Sequence, residues 1–123
     1  MSALAAVLLF AATPAAVPPV QSEIVVIGEK LNDWRGTWGA KKGVVACRTT
    51  RSTGDKEIDA VGCQALVSCA SPLVPQFKAI AESKLPKAER QRRMDIAVQP
   101  MVGCLTHARE AGIAALADRR AGA

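Results

Sequence analysis

Aromatic residues are scarce in this chain. Its 123 residues include no tyrosine, two tryptophans and two phenylalanines, although half of the residues are hydrophobic. A domain with so few large side chains gains little from burial, and small domains of this kind depend on added cross-links. The four cysteines of the chain are therefore the first feature to interpret.

The signatures of common catalytic and cofactor sites are also missing from the sequence. It contains no C-x-x-C pair, which excludes a thioredoxin-type redox centre and the tight cysteine pairs of a zinc ribbon. A dinucleotide-binding loop beginning at Gly28 would need glycine where Lys30 and Asp33 stand. No serine lies in a nucleophile-elbow context. We therefore predict no catalytic residue, no cofactor and no metal, and expect that the protein is not an enzyme.

Two pairs of titratable residues have helical spacing, and we interpret both as structural. The only histidine, His107, precedes Glu110 by three residues, which is typical of a surface pair more often than of a general base. Asp55 and Asp59 could share one helix face, as the paired carboxylates of glycosidases share a cleft. We expect Asp55 to cap a helix instead, and Asp59 to be solvated.

The N-terminal residues predict export from the cytoplasm. Residues 1–16 form a signal peptide in this interpretation: Ala3 to Ala12 is an apolar run too short to span a bilayer, and residues 13–16 are small enough for cleavage. Residues 17–22 read as a proline-rich linker, and residues 23–120 as a single domain. We expect a periplasmic or secreted protein whose mature chain has no transmembrane segment.

The cysteines Cys47, Cys63, Cys69 and Cys104 then predict two disulfides, because an even number in a short exported chain is typical of a cross-linked framework. Cys63 and Cys69 are about 9 Å apart along a predicted helix, which is too far for a disulfide. Two pairings remain. If the second strand of the hairpin folds back along the helix from a turn near Thr53, Cys47 on the strand and Cys69 on the helix lie at similar distances from that turn. This comparison favours the pairing of 47–69 with 63–104. A helical hairpin between residues 72 and 99 would instead give 47–63 with 69–104.

Residues 23–28, Glu-Ile-Val-Val-Ile-Gly, form a β-branched run that ends at a glycine and predicts a strand. The same six residues resemble the TonB box, an E-I-V-V-T-type segment near the mature N-terminus of outer-membrane transporters, with Ile27 where threonine is usual. The resemblance implies that the segment pairs as an added strand with an energy-transducing protein. No barrel pattern follows it in the sequence.

Residues 34–50 predict a β-hairpin with Lys41, Lys42 and Gly43 at its loop. Alternation places Trp34 and Trp38 on one face and Arg35 on the other. Aromatic side chains beside cations suggest an interaction patch for an anionic surface. Its candidate members are Trp34, Arg35, Trp38, Lys41 and Lys42. The alternative is that the two tryptophans form the main core of an aromatic-poor domain.

The remainder of the sequence predicts helices. One begins at the capping-box pattern of residues 52–55 and ends near residue 69, two more follow the prolines at 72, 75 and 86, and the last covers residues 101–120. Arg90, Arg92 and Arg93 lie on a charged face that we interpret as solvated. The predicted fold class is α+β, with a small N-terminal antiparallel β-sheet of two or three strands packed on about four helices.

The composition indicates a binding protein rather than a particular activity. The predicted signal peptide has no charged side chain, so the mature domain keeps the net charge of +5. The whole pattern resembles small exported bacterial proteins, a resemblance that implies no activity. Our leading hypothesis is a non-enzymatic domain that binds an envelope protein or an anionic envelope surface. The alternatives are an inhibitor of a secreted hydrolase that acts through residues 39–43, or a nucleic-acid-binding protein if the predicted signal peptide is wrong; an exported domain has no nucleic acid partner.

Overall fold

The computed structural model describes residues 19–122. The predicted signal peptide and the first two residues of the predicted linker lie outside this range. Within it, two strands and five α-helices follow one another as α1 Pro19–Asn32, β1 Arg35–Lys41, β2 Val44–Arg51, α2 Lys56–Ala70, α3 Val74–Ala81, α4 Lys87–Ala97 and α5 Pro100–Gly122. A 3₁₀ turn, Ser71–Leu73, joins α2 to α3. The α+β class is confirmed, with one more helix than expected and a sheet of only two strands.

The strand predicted for residues 23–28 is wrong, because this segment lies inside α1. Intrinsic β-propensity is weak compared with the burial of a helix face. Ile27 and Leu31, four residues apart, are both buried in the core, whereas Ile24, Val25 and Val26 are exposed. One helical face of α1 thus contributes to the core, and the predicted linker residues 19–22 form the first turn of this helix.

The predicted hairpin is confirmed. β1 and β2 pair antiparallel, with Trp38 opposite Cys47 and Lys41 opposite Val44. The two loop residues, Lys42 and Gly43, both have positive φ, at 53° and 78°. This is the conformation of the two-residue turns that match the twist of a hairpin, and it favours asparagine and glycine. A lysine at the first position is therefore conformationally unfavourable.

Helix α2 is central, and Trp34 lies against it. The indole is 2% exposed and donates a hydrogen bond from Nε1 to Thr49 Oγ1 at 3.0 Å. A Cβ at Gly62 in α2 would lie 2.6 Å from the indole ring, and Gly36 in β1 is also packed against it. The Arg109 guanidinium lies over the ring at 5.8 Å. Trp34 thus joins the hairpin, α2 and α5.

The C-terminal helix α5 packs along both α1 and α2. Its inward residues Met101, Leu116 and Ala117 are buried. A Cβ at Gly112 would lie 2.8 Å from Val61 Cγ1, so this glycine permits a close approach of α5 to α2. The predicted last helix is confirmed, and Pro100 is its first residue.

Two disulfides are present, and they join Cys47 to Cys63 and Cys69 to Cys104, with Cα–Cα distances of 5.5 and 5.8 Å. The favoured pairing of 47–69 with 63–104 is therefore wrong, and the alternative is correct. The path-length comparison assumed that β2 lies alongside α2 over its whole length. Instead Cys47 meets the middle of α2 at Cys63. Helices α3 and α4 pack against each other and reverse the direction of the chain, so that Cys104 in α5 reaches Cys69 in α2.

One helical stretch, Lys56–Ala81, is long and apolar enough to cross a membrane by length and composition alone. This differs from the expectation that no segment after the signal peptide would meet that criterion. The stretch contains α2, which has seven buried residues and carries one cysteine of each disulfide. The core helix of a folded domain meets the same criterion.

The carboxylates of Asp55 and Asp59, at the start of α2, accept hydrogen bonds from the chain around them. Asp55 caps the helix, as predicted, and accepts hydrogen bonds from the backbone N–H groups of Glu57 and Ile58. Asp59 is not simply solvated: its Oδ1 accepts hydrogen bonds from Thr53 N and Oγ1 at 2.8 and 2.7 Å, and its Oδ2 from the Ser52 hydroxyl. Both are used to order the loop between β2 and α2.

Asp55 also pairs with Arg120, with Arg120 Nη2 2.6 Å from Asp55 Oδ2, and about three quarters of each side chain is buried. The guanidinium of Arg120 holds the pKa of Asp55 below its usual value of 3.8. A carboxyl with a lowered folded-state pKa stabilises the fold above its unfolded pKa, and that contribution is lost as the pH falls through the folded pKa. The pair therefore stabilises the contact between the ends of α5 and α2 at neutral pH.

We expect Arg120→Met to lower the free energy of unfolding by about 1 kcal/mol at pH 7, because a partly buried ion pair is lost. The difference from the wild type should shrink as the pH falls below the usual carboxyl value of 3.8 and through the lowered folded-state pKa of Asp55. Urea unfolding at pH 7, 5 and 2.5 measures the difference in free energy of unfolding between the variant and the wild type. Arg119→Met is the control, since Arg119 is 63% exposed and lies 3.7 Å from Glu57, and its effect should be small at every pH. An equal loss for Arg120→Met at pH 7 and 2.5 would contradict this account.

Candidate functional site

The hairpin carries the net charge of the protein. Residues 35–51 contain five basic side chains and no acidic one, and the formal net charge of the whole chain is +5. The other eleven basic residues are balanced by eleven acidic residues. Within residues 19–122, no hairpin cation forms a salt bridge with a carboxylate. The five cations are Arg35, Lys41, Lys42, Arg48 and Arg51.

The two faces of the hairpin differ sharply in composition. The face towards the helices contains Trp38, Val45 and Cys47, which are buried or half-buried. The opposite face, called the outer face below, is exposed along both strands. Its residues are Arg35, Thr37, Gly39, Lys41, Val44, Ala46, Arg48 and Thr50. Strand alternation therefore produces an exposed surface that combines cations with small or apolar side chains.

The structure separates the predicted interaction patch into three parts. Trp34 is buried and belongs to the core, so it is not available to a partner. The Arg35 guanidinium donates to the carbonyl oxygens of Asn32 and Trp34 at 2.8 and 2.7 Å, which ties the hairpin to the end of α1. Lys41 is exposed on the outer face, while Trp38 and Lys42 line a groove beside the turn.

The groove lies between the hairpin turn and helices α3 and α4, and its volume is about 400 Å³. Trp38 and Phe77 form its aromatic wall, with ring centroids 5.6 Å apart and planes tilted by 32°. The side chains that matter for its chemistry are Trp38, Lys42, Val74, Phe77, Lys78 and Met94. The two lysines are exposed, these four apolar residues are buried or half-buried, and no acidic residue among residues 19–122 lines the groove.

The arginines of α4 are not a comparable anion site. Arg92 and Arg93 both contact Glu89 Oε1, at 2.6 and 3.2 Å. Hydrogen bonds from Arg92 and then Arg93 lower the pKa of Glu89 to about 2, so the carboxylate is ionised at all physiological pH values. Arg92 and Arg93 are exposed, as predicted, whereas Arg90 is half-buried. Glu89 on the same helix neutralises part of the charge of the two exposed arginines.

The residues considered for catalysis lie apart from the groove. His107 is exposed on α5, and it does not form a salt bridge with Glu110. Asp55 and Asp59 are occupied by the capping and loop contacts described above. Among residues 19–122 there is no cluster of three or more histidine, cysteine, aspartate or glutamate side chains placed to hold a metal ion.

Sequence patterning identified the hairpin part of the groove and missed its helical part. Nothing in the sequence placed Phe77 beside Trp38. Val74, Lys78 and Met94 come from two helices whose positions relative to the hairpin depend on the fold. In comparisons with protein-family models, curated proteins and solved structures, no significant match to this chain was found.

Proposed function

We propose that this is an exported, non-enzymatic domain that binds the anionic lipid surface of the cell envelope through the outer face of its hairpin. The observation that carries the proposal is the charge distribution: the hairpin holds five cations without an acidic residue, and the rest of the chain is electrically balanced. Three of the five, Arg35, Lys41 and Arg48, lie on the outer face. A cluster of unpaired cations attracts an anionic surface, at about 1 kcal/mol for each lysine or arginine near the headgroups.

The composition of the outer face supports a lipid surface in preference to a protein partner. Its tip presents Val44, which is 68% exposed, opposite Lys41 on the paired strand. An exposed valine beside cations fits the boundary between headgroups and acyl chains, where apolar and electrostatic contributions add. A protein interface would more commonly contain exposed aromatic anchors. The only hairpin tryptophans face the helices.

Export is supported by the disulfides and by the predicted signal peptide. Intramolecular disulfides persist in oxidising compartments and are rare in the cytosol. A periplasmic or secreted domain meets lipid headgroups, which are the anions the hairpin is proposed to bind. The lack of a catalytic constellation in the described residues leaves the basic face as the feature best suited to a function.

We expect the double variant Lys41→Gln/Arg48→Gln to bind vesicles of phosphatidylglycerol about thirtyfold more weakly than the wild type, because two cations near the surface are lost. Both side chains are exposed, so the fold should be unaffected. Sedimentation with vesicles at low salt measures the partition coefficient. Lys30→Gln/Lys84→Gln, two exposed lysines outside the hairpin, is the control because it has the same net charge.

The wild type should also lose binding when the salt concentration rises or when the vesicles contain only phosphatidylcholine. Equal weakening by both double variants would show that net charge alone matters, and would contradict a site on the hairpin. Absence of binding to anionic vesicles, together with retention on an envelope protein, would overturn the lipid proposal in favour of a protein partner.

A further inference from the structure

The groove beside the hairpin turn has the features of a ligand site that is separate from the outer face. Trp38 and Phe77 provide an aromatic wall, and Val74 and Met94 extend the apolar lining. Its volume of about 400 Å³ falls in the range of small-molecule sites in proteins. Alternation along the strands puts Trp38 on the inner face and Lys41 on the outer face. A ligand in the groove would therefore not occupy the surface proposed to bind lipid headgroups.

Charge at the groove determines the kind of ligand that fits. Lys42 from the turn and Lys78 from α3 are exposed beside the apolar lining, and no acidic residue in the described part of the chain lines the groove. Neither lysine forms a salt bridge within the described part of the chain. A complementary ligand has an apolar body that removes the aromatic wall from water and one anionic group that the two ammonium groups can contact.

We propose that this groove binds a single-chain anionic amphiphile, with its aliphatic chain against Trp38, Phe77 and Met94 and its carboxylate between Lys42 and Lys78. The volume suits one aliphatic chain, whereas a bilayer lipid would bring two. The site is assembled from the turn, α3 and α4, which the fold brings together around the Trp38–Phe77 contact.

The conformation of Lys42 is a second observation that fits this assignment. Its φ of 53° lies in the left-handed region, where asparagine is preferred at this position of the turn. A lysine here costs conformational energy, and it puts a cation beside the groove. Proteins tolerate such unfavourable positions most often where a side chain serves a function.

The test uses the full-length folded protein and sodium dodecanoate below its micelle concentration as the probe, with isothermal titration calorimetry as the readout. We expect saturable binding with one molecule per protein. Affinity should rise about fourfold for each methylene added from octanoate to dodecanoate, because each buried methylene adds a favourable free energy of transfer from water. Dodecanol, which lacks the carboxylate, should bind more weakly.

The variant Lys42→Asn/Lys78→Gln should weaken dodecanoate binding about fivefold to tenfold, because two ammonium groups are lost from the carboxylate site. Its thermal midpoint should be equal to or higher than that of the wild type, since Asn-Gly suits the turn. Lys30→Gln/Lys84→Gln should leave the affinity within twofold. Quenching of tryptophan fluorescence by a bromine-labelled fatty acid should disappear in Trp38→Phe, which retains only the buried Trp34.

Several results would overturn this assignment. Absence of saturable binding would do so, as would affinity that does not change with chain length or an equal loss in both lysine variants. Binding of a short peptide with a C-terminal leucine, without binding of dodecanoate, would assign the groove to a peptide terminus instead. The vesicle experiment on Lys41 and Arg48 is independent of these results, so either proposal can fail without the other.

Discussion

Replacing Cys69 and Cys104 together by serine is expected to lower the free energy of unfolding by about 4 kcal/mol, and replacing Cys47 and Cys63 by about 3 kcal/mol. The difference follows from the sequence separations of 35 and 16 residues, because the longer loop restricts the unfolded chain more strongly. Urea unfolding of the two double variants, with both disulfides verified in the wild type, measures the two values.

The combined loss is large compared with the stability of a domain of this size. Small domains unfold at a cost of about 5 to 15 kcal/mol, so removal of both cross-links should leave the chain largely unfolded at 37 °C. The wild type in excess reductant is the control, since it should match the variant that lacks all four cysteines. A loss below about 1 kcal/mol for each pair would show that packing alone stabilises this fold.

Gly62→Ala should destabilise the protein by about 1 to 3 kcal/mol, and Trp34→Ala by about 3 to 5 kcal/mol. The added methyl group at Gly62 would lie 2.6 Å from the Trp34 indole, which the hairpin on the opposite side prevents from moving away. Removal of the indole would leave a cavity among the hairpin, α2 and α5, and would leave Thr49 Oγ1 without its donor. Chemical denaturation measures both effects.

The same exchange at another helical glycine provides the control. Gly103 in α5 has open space where a Cβ would be, so Gly103→Ala should raise stability by about 0.5 to 1 kcal/mol through helix propensity. The double variant Gly62→Ala/Trp34→Ala should be less destabilised than the sum of its single variants, because each removes the contact that the other disturbs. Additive effects, or a stabilising Gly62→Ala, would contradict the packing described for Trp34.

The hairpin and the last helix could be predicted from the sequence because their signals are local. Alternation indicated the faces of β1 and β2, and the glycine marked the turn, although Lys41, predicted in the loop, is the last residue of β1 and pairs with Val44. Helix α1 was missed because the apolar run at residues 23–28 was interpreted without its neighbours. Val20, Ile24, Ile27 and Leu31 follow helical spacing across that run, and tertiary burial of Ile27 and Leu31 decides the outcome.

The disulfide pairing could not be derived from spacing alone. Both pairings satisfied the distance limit along α2, and the choice depended on where the strand crosses the helix and on the return path through α3 and α4. Those are properties of packed elements and not of local sequence. The candidate site could likewise be predicted only in part. Its cations can be recognised in the sequence, but the contact between Trp38 and Phe77 on α3 cannot.

Export of the domain and its cross-linking as 47–63 and 69–104 are the central expectations for this protein. The decisive measurement is peptide mapping, without reduction, of the protein isolated from the cell envelope. We expect a mature N-terminus that follows the predicted signal peptide, one peptide pair joined through Cys47 and Cys63, and another through Cys69 and Cys104. Recovery from the cytosol with Met1 intact and four free thiols would contradict the account, and pairing of Cys47 with Cys69 would contradict the fold.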